Sequence, residues 1–148
     1  MQLTRILADK FWKISPKWVD GETNFENKIS GTTAGLVIGD RTFTLKNKFK
    51  YVYDLAEEWK KLTSLPFAFA CWVSNKKIPV DFISRFNSAL ESGLKNIPVV
   101  ASQHPSNGFN TLDYLTNKVS FNLDEKKKEA MKLFLEMSGA YAHSSARI

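Results

Sequence analysis

Leu65-Pro66-Phe67-Ala68-Phe69-Ala70-Cys71-Trp72-Val73 (LPFAFACWV, residues 65–73) is the longest apolar run in the chain, and the way it is read decides the fold class. A helix that crosses a bilayer takes about 20 apolar residues, so this run is too short to span one. It reads instead as a buried strand entered through Pro66, which belongs at the first residue of a strand or on an edge because it has no N–H to give to a ladder. Side chains alternate across a strand, which puts Phe67 and Phe69 on one side. Core packing is the ordinary use of such rings, and a pocket wall formed by Pro66 and Phe67 is the sharper alternative. Cys71 lies inside the run with no histidine or helix start beside it to lower its pKa, so it reads as core rather than nucleophile.

Upstream, Ala34 to Ile38 is a second compact apolar run, followed at once by Gly39 and Asp40, the kind of strand-to-loop junction where α/β proteins place ligands. Lys17 to Val19 and Tyr51 to Tyr53 read as short strands. Between them, residues 20–30 are polar, with Gly21 and Asn24 as turn formers, and read as loop or weak helix. Helices are expected over residues 3–14, from the stripe Leu3, Ile6, Leu7, Phe11 and Ile14, and after Asp54, with Glu57 completing a capping box and Leu55, Trp59 and Leu62 facing inward. Downstream, a long helix starts at Pro79 and carries Phe82, Ile83, Phe86, Leu90 and Leu94, with Pro98 as its far boundary. A polar surface loop follows over residues 102–110, then a short helix near Leu112. The last helix is capped by Asp124, faces Ala130, Met131, Phe134 and Leu135 inward, and stops at Gly139. Residues 1–138 form one domain and residues 139–148 a frayed tail. Alternating strands and helices predict an α/β architecture with a mainly parallel sheet flanked by helices.

Composition narrows the function. With 43% hydrophobic and 13% aromatic residues among 148, the chain can build a core and is not a disordered polyanion or polycation. The single cysteine excludes an intrachain disulfide and a Cys-rich metal site, and fits a reducing, cytoplasmic setting. The net charge of +6 raises nucleic acid as a partner, but the lysines are interleaved with acids, and Lys126 to Lys128 sits between Asp124, Glu125 and Glu129 as a solvated helix face. No nucleic-acid or membrane partner is therefore expected, while a positive field still draws in a small anion. P-loop, dinucleotide and HExxH patterns are missing, and no cofactor or metal is expected. His104 and His143 lie outside the apolar motifs, and neither makes a convincing base.

Three segments in order, GLVIGDRT (residues 35–42), DLAEEW (54–59) and TSLPFAFACW (63–72), resemble the chorismate dehydratase family of the futalosine route to menaquinone. The likeness runs from about Leu3 to about Glu136. It implies a two-lobed fold of the periplasmic-binding-protein type (type II) with the ligand in a cleft, of which this chain is an incomplete, C-terminal portion. It also implies loss of water from chorismate to give 3-[(1-carboxyvinyl)oxy]benzoate. Family members carry a further N-terminal segment that nothing here matches, so a missing N-terminal lobe or a homodimer is the expected cover for the exposed lobe surface. Alternatives are a non-catalytic solute-binding-like lobe and the related dihydroxynaphthoate synthase.

On this resemblance Asp40 is the candidate catalytic residue, accepting from a substrate hydroxyl or positioning a proton; the plainer reading is a helix N-cap. The candidate substrate-binding residues are Gly39, Arg41, Thr42, Pro66, Phe67 and Trp72. Gly39 either lets backbone approach a ligand or is an ordinary turn glycine. Arg41 either pairs bidentately with a substrate carboxylate or faces solvent. Thr42, with neighbouring amides, either holds the same anion or supports the turn.

Overall fold

The structure, a computed structural model, describes residues 1–106 and 108–139. Its elements in chain order are α1 (Gln2–Ile6) running into a π-helical turn (Leu7–Phe11), a 3-10 turn (Phe25–Lys28), α2 (Arg41–Leu45) with a 3-10 turn (Lys46–Lys48), α3 (Leu55–Thr63), α4 (Val80–Lys95), α5 (Ile97–Gln103), α6 (Thr111–Asp113) with a π-helical turn (Tyr114–Lys118), and α7 (Glu125–Met137).

No strand or sheet forms among the described residues, which overturns the expected α/β, parallel-sheet, periplasmic-binding-protein-like architecture. Residues 17–19, 34–38, 51–53 and 65–73 all lie outside regular structure. The physical reason is that an apolar run has no strand conformation of its own to fall into: β-propensity records fit to neighbours, and a parallel strand has every ladder bond supplied from outside its own segment. Unpaired, these runs leave Ile38, Phe69, Trp72 and Val73 each more than seven-tenths exposed. Cys71, read as core, is exposed for the same reason.

The chain divides into two compact units, one made of Met1–Phe69 with the segment from Leu123 on, the other Ala70–Asn122. In the first, the stripe Leu3, Ile6, Leu7 on the N-terminal helix meets Trp59 on α3, and Phe11, Leu55, Leu62, Phe67, Leu133, Phe134 and Met137 pack around them. Leu7 and Trp59 are fully buried, and burial of each such side chain is worth about 1.5–3 kcal/mol. Phe67 and Phe134 stand edge-on to Trp59 at centroid distances of 5.5 and 6.1 Å, an arrangement that suits the ring quadrupoles. Asp54 caps α3 by accepting from the amides of Ala56 and Glu57 at 2.8 and 3.2 Å. Asp124 caps α7 through the Lys127 amide at 2.9 Å, and Gly139, at φ 71°, ends it. On α7 the inward face is Ala130, Leu133, Phe134 and Met137; Leu135, expected inside, is exposed because it falls on the other side of the helix. Lys127, expected on the solvated face, is buried, with its ammonium 3.8 Å from Asp124.

The second unit is thinly packed. Its long helix α4 leaves Phe82, Ile83 and Leu90 exposed, and the rings of Trp72, Phe86 and Phe82 form a row with successive centroids 5.3 and 6.1 Å apart. Asn107 of the expected surface loop, His143, and the expected tail beyond Gly139 lie outside the described residues.

Candidate functional site

The candidate site begins with a turn that Gly39 makes possible. At φ 76° Gly39 occupies the left-handed region that side chains resist, and this reverses the chain between the apolar run and α2. Its carbonyl then accepts from both the amide and the hydroxyl of Thr42, at 3.0 and 2.9 Å, while the Asp40 carbonyl accepts from the Phe43 amide at 3.2 Å. Thr42 therefore supports the turn with its hydroxyl, and the Asp40 carboxylate projects from it exposed. At five residues, α2 is too short to gather much of a helix dipole for an anion.

Arg41 does not face solvent alone. Its guanidinium is ion-paired with Glu26 and lies 6.0 Å from the centre of the Phe25 ring. The Phe25–Lys28 turn is seated on the candidate segment at both ends: by this pairing at Arg41, and at Gly35, where an added Cβ would come within 2.8 Å of Phe25 and 2.5 Å of Ile29. Only a glycine lets the turn approach so closely. The second oxygen of the Glu26 carboxylate is buried without a hydrogen-bond partner. Phe25 and Glu26 went unrecognised in the sequence; the available signal was an aromatic-acid pair isolated in an otherwise polar loop.

The remaining candidates lie apart from this turn. Phe67 belongs to the aromatic cluster of the core, 5.3 Å from Phe134 and 4.9 Å from Phe69, and Pro66 beside it is half-buried. Trp72 falls in the other unit, 77% exposed, with its ring edge-on to Phe86. That unit also holds a concavity of about 360 Å³ between α5 and the loop before α6, walled by Pro98, Ala101, Pro105, Phe109 and Leu112 with a rim of hydroxyl and amide groups. No charged side chain lines it among the described residues, so it suits an apolar guest better than a dicarboxylate.

One buried acid stands outside the turn. Glu58, 4% exposed, accepts the Trp12 indole N–H at 2.8 Å and a Lys61 ammonium proton at 2.6 Å. The Lys61 hydrogen bond, helped by that from Trp12, holds its carboxyl below the ordinary carboxylate value, and Glu58 in turn raises Lys61. These bonds tie the end of the N-terminal helix to α3 and commit both oxygens of a buried carboxylate to partners within the fold. Among the described residues no group of three or more His, Cys, Asp or Glu is placed to hold a metal ion, and no helix is long and apolar enough to cross a membrane.

A family model described as "Menaquinone biosynthesis" matches residues 1–140. No curated protein matches the chain, and no solved structure matches it.

Proposed function

The chain belongs to the menaquinone biosynthesis family, and from that premise we propose that it is a carbon–oxygen lyase acting on chorismate. In this reaction a ring C–H and a neighbouring C–OH are lost together as water and the ring becomes aromatic. Aromatisation supplies the driving force, so the protein's task is to hold a dicarboxylate and to manage one proton. The observation that supports the reading is the Gly39–Thr42 turn, on which Asp40 and Arg41 are consecutive and both exposed. Arg41 takes a substrate carboxylate in its planar fork, and Asp40 accepts from the hydroxyl that leaves or positions the proton lost from the ring. Gly39 and Thr42 fix the turn that aims both.

Incubation with chorismate while the cyclohexadiene absorbance is followed tests this. The expected outcome is loss of the diene band, with an aromatic product recovered by chromatography, and an Asp40→Asn variant slowed by about 10²-fold or more, as for loss of a group that handles a proton. An unchanged rate in Asp40→Asn would remove that residue from the chemistry. Arg41→Ala is expected to raise KM chiefly, since a carboxylate clamp binds substrate and transition state alike.

A further inference from the structure

We infer that Glu26 is a built-in competitor for the anion site at Arg41, setting a threshold that favours ring-bearing carboxylates over small anions; the inference rests on Arg41 being that site. The Arg41 side chain is 58% exposed while that of Glu26 is 13% exposed, so the guanidinium is open to solvent on the side away from its partner. An incoming carboxylate can therefore meet Arg41 before Glu26 leaves. The exchange is chemically symmetrical, one carboxylate for another on the same planar fork, and the charge balance at Arg41 is unchanged.

Two features tilt the exchange toward release. One oxygen of Glu26 is buried with no hydrogen-bond partner, so the internal pair is imperfect, and on moving aside Glu26 regains water on both oxygens. Phe25 stays behind when Glu26 moves, because its ring is wedged against Gly35 and Gly21; a Cβ on either would come within 2.8 and 3.1 Å of it, respectively. The vacated position then adjoins a guanidinium that itself lies 6.0 Å from the centre of the Phe25 ring, which suits a carboxylate carried on a flat ring. Acetate or chloride gains the charge contact but nothing from Phe25, and so displaces Glu26 poorly. The neighbouring cation does not repeat the arrangement: Lys28 is paired with Glu22.

The test is calorimetric titration of the full chain with isophthalate and, separately, acetate, using the wild type, Glu26→Gln, Glu26→Ala and Arg41→Ala. Both Glu26 variants are expected to bind isophthalate about three- to fivefold more tightly than wild type, the range of a partly exposed ion pair. Both should also narrow the preference for isophthalate over acetate. In Arg41→Ala, binding is lost, and adding Glu26→Gln does not restore it. Loss of binding in Arg41→Ala with no gain in either Glu26 variant overturns the competitor and leaves the anion site standing. Binding unchanged in Arg41→Ala overturns the anion site itself. Far-UV circular dichroism accompanies each titration, and unfolding of both Glu26 variants would make the pair a structural staple and sink the inference.

Discussion

Glu58 shows how a single acid can be committed to architecture. Its carboxyl is held below its ordinary value of 4.5, first by the Lys61 ammonium and then by the Trp12 indole. Between that value and the lower folded one, the unfolded chain takes up a proton that the folded chain refuses. The stabilisation is therefore complete above about pH 4.5 and is lost as pH falls through the folded value. Lys61 is raised above its ordinary 10.5, so its share is present below that pH and lost as pH rises through the higher folded value. Melting temperatures across the acid range are expected to fall more steeply for wild type than for Glu58→Gln. Glu58→Ala, which leaves a part-buried indole N–H unpaired, should cost about 1–3 kcal/mol in chemical denaturation at neutral pH. Gly35 is a second telling residue. Gly35→Ala would push a methyl into Phe25 and Ile29; the end of Ile29 can turn aside, whereas the Phe25 ring, held also against Gly21, gives less, so the expected cost is about 1–3 kcal/mol. An unshifted denaturation midpoint would mean that the turn at Phe25 does not bear on stability.

Among the elements, α3 was the one whose cap and inward face were legible in the sequence, although the Glu57 half of the expected capping box does not form. Asp54 before an apolar period of three and four residues predicted its start and its inward face, and the structure has Asp54 capping and Leu55, Trp59 and Leu62 on the core. Helical periodicity is written within one segment and needs no partner to be read. Asp54→Ala is accordingly expected to cost about 1 kcal/mol, measured as a shift in the denaturation midpoint, with Asp54→Asn costing less because it keeps the accepting oxygen. Residues 65–73 illustrate the opposite case. Their apolar character is real, yet a strand is a relation between segments, and composition could not reveal that no neighbour pairs with them. The N-terminal helix falls between the two: its stripe of Leu3, Ile6 and Leu7 was readable, whereas its passage into a π-helical turn, closed by the Trp12 amide on the Leu7 carbonyl at 2.8 Å, left no sequence signal.

At the scale of the whole molecule, ordered motifs carried the family even though the predicted sheet did not form, since short motifs in sequence order record descent rather than packing. The candidate site was legible to a similar partial degree. Gly39, Asp40, Arg41 and Thr42 share one turn because they are consecutive, while Phe67 and Trp72, five positions apart in one apolar run, fall in different units. What escaped reading was the Glu26–Arg41 pair, whose partners are joined by tertiary structure across fifteen positions of chain. The two tryptophans placed most differently give the protein a private optical code. The indole of Trp59 is sealed from water within one unit, and that of Trp72 stands 77% exposed in the other. A sheltered indole emits at shorter wavelength and is shielded from iodide, so quencher should extinguish the red component first and Trp72→Phe should remove much of it. Under rising denaturant the blue component then follows the melting of the unit around Trp59 by itself, separating two transitions that a single averaged signal would merge.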